Sequence, residues 1–329
     1  MVEPVDELHD LASGVTLHVR RWEPPGAHEA GLPSWVLTHG LASNARLWDG
    51  VAWRLAAMGH LVVTVDQRGH GLSSKPEGPY DVATCADDLA LLIDVLDLDR
   101  PAVAGQSWGG NVVLELGHRH PGAVALVTCV DGGFIELGAR FADWERCAEA
   151  LAPPKLAGTP LETMRGWLDR SASDWPEEGR EGTLANFEVR ADGTIAPWLT
   201  FERHLEVLHG LWEHSPAAVY PDVDVPTLLI AADTGDVGWT DSKESAVDAA
   251  VAALPRGRAH WFRPAHHDVH AQRPDEVADL LHDAATDPDF FPPPDGSARR
   301  ASAGDDQDDT DRDDTDHHDT DHHDTETSR

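Results

Sequence analysis

A serine with a glycine two residues away on each side, Gly105-Gln-Ser107-Trp-Gly109, is the stretch of this 329-residue chain best suited to covalent chemistry. Glycines at 105 and 109 permit a turn so sharp that a side chain at either place would collide with neighbouring backbone. Small apolar residues before the turn predict a strand, and Gly110-Asn-Val-Val after it predicts a helix. Ser107 then stands at a helix N-terminus, where unpaired N–H groups and the dipole favour developing negative charge. It is read as a nucleophile. A serine hydroxyl needs a base to take its proton during attack, and a carboxylate to hold that base in the right tautomer.

The elements that position such a site alternate regularly. Residues 15–22 alternate apolar and polar side chains and predict a half-exposed strand, and residues 35–40 predict a short buried strand ending in His39-Gly40. A helix over 47–58 closed by Gly59, a strand over 61–66, a helix over 82–96 and the strand into Ser107 follow. The glycine-rich loop after Asp66 lacks a Gly-Lys-Ser/Thr ending and a Gly-x-Gly-x-x-Gly register, so it is not read as a phosphate cradle. A further strand over 124–130 ends in Asp131-Gly-Gly. Between about 134 and 220 no strand-like run occurs; tryptophans at 144, 167, 175, 198 and 212 and helix-spaced leucines predict a helical insertion. Strand, helix, strand and helix then return over 226–232, 242–254, 258–262 and 274–285.

This order predicts an α/β fold: a mostly parallel central sheet, helices on both faces, and a helical cap inserted late in the sheet. The expected division is a core of 1–133 and 222–290, a cap of 134–221, and a disordered acidic tail of 291–329. The formal charge is −34, and residues before 295 still carry 46 acidic against 21 basic side chains, so acidity is global. Such a surface repels phosphate backbones and anionic membranes, which argues against nucleic-acid or membrane binding. Cys85, Cys129 and Cys147 have no close paired spacing and are read as reduced thiols. The N-terminal residues lack a basic and apolar leader pattern, and a cytoplasmic location is expected. In the tail, His317, His318, His322 and His323 alternate with aspartates, an array without preformed geometry, so no metal site is assigned there.

Four motifs in order, His39-Gly40, Asp66-Gln-Arg-Gly-His-Gly-Leu-Ser73, Gly105-Gln-Ser-Trp-Gly-Gly110 and His267-Asp-Val-His-Ala-Gln-Arg-Pro274, resemble the α/β-hydrolase fold superfamily over about residues 13–286. The resemblance implies His267 as general base, seven residues before Pro274, with His266 and His270 as rivals. Gln272 stands where such proteins commonly have Glu. For the acid, Asp236 in the loop after strand 226–232 matches best, with Asp233 in the same loop and Asp131 after the preceding core strand as alternates. The main-chain N–H groups of Leu41 and Trp108 are the implied oxyanion hole, which leaves both side chains free to shape an apolar acyl pocket. His39, Gly40, Phe134 and Trp239 are the other expected pocket positions.

The implied activity is hydrolysis of a carboxylic ester, thioester or lactone of small to medium size, with no cofactor and no metal. Serine at 107 disfavours chemistry that starts from a carboxylate nucleophile. Acyl transfer, perhydrolysis or C–C bond hydrolysis would use the same triad, and a non-catalytic small-molecule receptor is the reading from outside enzymology.

Overall fold

A computed structural model describes residues 3–26, 28, 31–235 and 237–291, with the backbone alone at 237–239. Its strands are β1 Val5–Asp10, β2 Thr16–Trp22, β3 Trp35–Thr38, β4 Val62–Asp66, β5 Ala102–Gln106, β6 Leu126–Val130, β7 Phe187–Val189, β8 Ile195–Pro197, β9 Thr227–Ala232 and β10 Gly257–Phe262. Eight of them form one sheet in the order β1-β2-β4-β3-β5-β6-β9-β10. β2 is antiparallel to both its neighbours, and all pairs from β4 to β10 are parallel.

β3, β4, β5 and β6 are buried at every position, because a parallel strand covered on both faces has no polar side to show. Successive side chains still go to opposite faces. Trp35, Leu37, Ala104 and Ile230 pack with α1 (Asp49–Ala57) and α11 (Pro274–Thr286) on one face. Val36, Val63, Val103 and Leu229 pack with α2 (Val82–Val95), α3 (Trp108–Arg119) and α9 (Val237–Ala253) on the other. The alternation along β3 thus assigns each neighbouring residue to a different half of the core.

Three features depart from the sequence reading. β1, whose residues alternate in exposure and carry acids and histidine, is an additional antiparallel edge strand. The 134–221 stretch holds a small hairpin, β7 with β8, besides α4 (Leu137–Arg140), α5 (Trp144–Leu151), α6 (Leu161–Ser171), α7 (Glu177–Leu184) and α8 (Phe201–Glu213). α9 also begins at Val237, ahead of the expected 242. The inserted stretch packs at two places: Val207 and Leu211 of α8 join the α2/α3 cluster, while Trp175 forms a small separate cluster with Leu47, Ala172 and Ala271. Cys85, Cys129 and Cys147 are buried free thiols. The tail from 292 onward, with its histidine pairs, lies outside the described residues, as does Asp236.

The glycine-rich loop after β4 is a structural knot. The Asp66 carboxylate accepts from Ala45 N at 2.7 Å, Leu72 N at 2.9 Å and His18 Nδ1 at 2.8 Å. A Cβ on Gly71, whose φ is +46°, would stand 2.1 Å from Asp66 Oδ2, so only glycine lets the loop close on the carboxylate. Two residues along, the Arg68 guanidinium forms a two-pronged ion pair with Asp88 of α2, at 2.5 and 2.7 Å, and both side chains are 4% exposed.

Burial alone would raise the Asp66 carboxyl, but His18, His39 and the two main-chain donors outweigh it and hold the group at about 2, below its ordinary 3.8. A depressed carboxyl contributes stability above its unfolded value and loses it as pH falls toward the folded one. Asp66→Asn is therefore expected to cost on the order of 2 kcal/mol at neutral pH. The difference from the parent should vanish as pH falls from 3.8 toward 2. Urea unfolding at both ends of that window measures it; an unchanged difference at the acid end would contradict this account.

Candidate active site

Ser107 sits between β5 and α3 with φ 53° and ψ −122°, a strained conformation for a residue with a side chain. Its main chain is clamped on both sides: its N–H donates to Val130 O at 2.8 Å, and its carbonyl accepts from Gly110 N at 2.9 Å. The turn closes because three glycines leave room for backbone. A Cβ on Gly105 would lie 2.1 Å from Gly109 O, one on Gly109 2.4 Å from His39 O, and one on Gly132 2.1 Å from Ser107 O. Gly132, which no motif marked, matters as much as the two glycines of the elbow.

His267 Nδ1 donates to Asp131 Oδ2 at 2.6 Å. Asp131 follows β6 directly, with φ 44°, and its side chain is 1% exposed while that of His267 is 47% exposed. Parallel pairing of β6 with β9 places Asp131 beside Ala232, whose N–H donates to Asp131 Oδ1 at 3.0 Å. Burial alone would raise the Asp131 carboxyl; the His267 hydrogen bond and charge, Lys243 and the Ala232 N–H together hold it below 3.8. For His267, which is only partly withdrawn from water, desolvation disfavours the cation, yet the Asp131 hydrogen bond with the Asp268 and Asp131 charges prevails, and the imidazole is raised above 6.5.

Of the other candidates for these two roles, those among the described residues are placed elsewhere. Asp233 Oδ1 accepts from Gly235 N at 2.9 Å and Thr240 Oγ1 at 2.8 Å, which makes it the organiser of its own turn rather than a partner of His267. Asp236 lies outside the described residues. His266 is exposed, and its ring accepts from Asp268 N at 3.2 Å. His270 is fully buried, its ring 4.4 Å from that of Trp48, and burial lowers it to about 4, so it stays neutral.

The loop after β3 lies against the elbow: a Cβ on Gly40 would be 3.1 Å from Ser107 Cβ. His39 does not face a pocket. It is fully buried, donates from Nδ1 to Gly40 O at 2.7 Å and accepts at Nε2 from Gln67 N at 3.0 Å. The Nδ1 bond to Gly40 O holds the Gly40–Leu41 peptide, whose Leu41 N–H lies in the same plane and points away from that oxygen. Trp108 opens α3, and its N–H has no partner one turn earlier in the helix. Its side chain, expected to shape the pocket, is instead fully buried and stacked on His70 at 5.3 Å between centroids. Phe134 is 9% exposed and packs in the α2/α3 cluster, and the Trp239 side chain is outside the described residues.

Two contacts escaped the sequence reading. Gln272, in the short helix α10 (Val269–Gln272), accepts at Oε1 from His266 N at 2.8 Å and donates to Asp174 of the inserted stretch at 2.7 Å. Glutamate at this position would face Asp174 charge to charge, which explains the amide. The second is Lys243 of α9, whose ammonium lies 2.9 Å from both Asp131 oxygens. Nothing in the sequence flags it, since it belongs to no motif and its helix follows a loop of uncertain register.

Residues 35–280 match the family model described as "Alpha/beta hydrolase family". The chain belongs to the α/β hydrolase family. An uncharacterized protein of Mycobacterium tuberculosis is 36% identical over 103 residues, 31% of this chain and 30% of that relative, so the matched stretch spans under a third of its length. The 2-(acetamidomethylene)succinate hydrolase of Mesorhizobium japonicum is 32% identical over 221 residues, 66% of this chain and 73% of that protein. The solved structure of E-2-(acetamidomethylene)succinate hydrolase superposes with a TM-score of 0.67 at 22% identity, covering 88% of this chain and 99% of that one, a likeness of fold. Hydrolases are thus among the relatives of this α/β hydrolase. Among its described residues no helix is long and apolar enough to cross a membrane.

Proposed function

We propose that this α/β hydrolase is a serine hydrolase that cleaves a carboxylic ester, thioester or lactone through Ser107, His267 and Asp131. The observation that carries the reading is the 2.6 Å hydrogen bond from His267 Nδ1 to the buried Asp131 carboxylate, which directly follows Val130, whose carbonyl accepts from the N–H of Ser107 on its strained elbow. With its Nδ1 proton held in the hydrogen bond to the Asp131 carboxylate, His267 presents Nε2 as the acceptor for the Ser107 hydroxyl proton.

In the proposed cycle Ser107 Oγ attacks the substrate carbonyl carbon as its proton passes to His267 Nε2. The carbonyl oxygen becomes an oxyanion facing the N–H groups of Leu41 and Trp108. Collapse expels the alcohol or thiol, which takes the proton from His267 and leaves an acyl-serine. Water then repeats the sequence: its oxygen bonds to the acyl carbon as His267 takes its proton, the bond from that carbon to Ser107 Oγ breaks, and Ser107 recovers its hydrogen from His267 as the carboxylic acid leaves. Acyl transfer and perhydrolysis would differ only in replacing that water. The proposed partner is therefore a small acyl compound.

Incubation with a fluorophosphonate, which phosphonylates an activated serine, is expected to attach one equivalent to the peptide carrying Ser107. Turnover of p-nitrophenyl esters of increasing chain length should disappear in proportion. Full turnover after complete labelling, or label on another residue, would sink the proposal.

A further inference from the structure

The chain has only three lysines, and one of them is committed to the carboxylate that holds the proposed base. Lys243 Nζ lies 2.9 Å from Asp131 Oδ1, 2.9 Å from Oδ2 and 2.6 Å from Ala232 O, so its three protons meet three acceptors. Asp131 in turn accepts from His267, the Ala232 N–H and twice from Lys243, which fills the roughly four lone-pair sites of a carboxylate. The pair is asymmetric in exposure, with Lys243 24% and Asp131 1% exposed. The cation comes from α9, the helix that follows the loop where the acid itself was expected, so a positive charge now approaches from that side.

We propose that Lys243 is a positioning residue of this site: it orients Asp131 toward His267 and offsets its charge, keeping His267 a neutral proton acceptor to lower pH than Asp131 alone would allow. The inference rests on the triad reading above. The charged and ionisable groups facing His267 are Asp131 from the end of β6, Lys243 from α9, Asp268 beside it, and His266 and His270 from its own loop and α10. The two carboxylates favour the imidazolium, and Lys243 opposes it. His270 is neutral through the working range, so Lys243 is the cation that balances the pair. An arrangement of Asp131 and Asp268 without Lys243 would hold His267 protonated, and unable to accept from Ser107, over a wider range of pH.

Two variants separate charge from geometry. Lys243→Met removes charge and hydrogen bonds together, whereas Lys243→Gln removes the charge and keeps an amide donor for Asp131 or Ala232. Both should move the acid limb of kcat/KM upward by about one pH unit, the order of shift a neighbouring charge gives an ionisable group. Lys243→Arg should restore the limb to its parent position. The His267 imidazole resonances, followed by NMR titration in each variant, should report the same shift whether or not turnover is measured. An unmoved His267 titration in either Lys243→Met or Lys243→Gln overturns the proposal, as does a kcat lowered equally at every pH with the limb in place. Ester turnover surviving in Ser107→Ala would overturn the hydrolase reading instead, and the NMR titration keeps that result distinct from this one.

Discussion

Asp131→Asn is expected to lower kcat about 10⁴-fold, while Ser107→Ala removes about 10⁶-fold, in line with what triad members contribute elsewhere. The physical reason lies in the tautomer. A carboxylate accepts the Nδ1 proton of His267 and leaves Nε2 bare for the serine. An asparagine can turn its NH2 toward Nδ1, which moves the imidazole proton to Nε2, where it blocks the transfer. The double variant should be no worse than Ser107→Ala, because the residues act as one unit. Asp233→Asn should keep kcat near the parent value, since an amide oxygen can still accept from Gly235 N and Thr240 Oγ1. Asp236→Asn completes the comparison. If Asp236→Asn were the variant to lose activity and Asp131→Asn kept it, the assignment of the acid would be wrong. Steady-state kinetics on one p-nitrophenyl ester, with circular dichroism to verify folding, decides the matter.

Arg68→Met is expected to destabilise the fold by about 3–5 kcal/mol, the usual result of leaving one member of a buried ion pair without its partner. At about 2–4 °C per kcal/mol for a domain of this size, the melting temperature should fall by about 6–20 °C. Arg68 donates to both Asp88 oxygens and to Pro79 O at 2.8 Å, and Ser13 Oγ adds a third contact to Asp88 at 3.1 Å. Removing the cation therefore strands a carboxylate inside the layer formed by α2. Replacing both, as Arg68→Met with Asp88→Leu, should recover most of the loss, because an apolar pair needs no compensation there. Equal melting of Arg68→Met and the parent would mean that the pair contributes nothing. The consequence would reach the proposed site too, since Arg68 O accepts from the Nδ1 of the same His70 that stacks on Trp108.

What the sequence revealed, and what it hid, follows from how local each signal is. The runs of β3, β4 and β5 are apolar at consecutive positions, and burial on both faces makes that pattern legible. The elbow is equally local: Gly105, Ser107 and Gly109 are separated by single residues, and the collisions they avoid involve one another and the adjacent loop. β1 was hidden because an exposed edge strand may carry acids and histidine without cost, and β7 and β8 because three residues make no period. The carboxylate was the hard case for a different reason. Asp131 and Asp233 follow neighbouring parallel strands, β6 and β9, so each ends at the same edge of the sheet. Choosing among Asp131, Asp233 and Asp236, which follows Asp233 in the same loop, needs the side-chain directions at two loops separated by about a hundred residues of sequence, which loop register does not encode. Lys243 was invisible on the same ground, as a single cation on a helix with no motif.

The close approaches around Ser107 join backbone to backbone: position 105 against Gly109 O, position 109 against His39 O, position 132 against Ser107 O. Contacts of that kind offer no side chain to trim in compensation. For laboratory evolution this makes the three glycines fixed points, to be left out of any mutagenic library. It also means that the Ser107 elbow, the His39 loop and the Asp131 loop would be inherited together or lost together, so a search for altered selectivity belongs in side chains outside this frame.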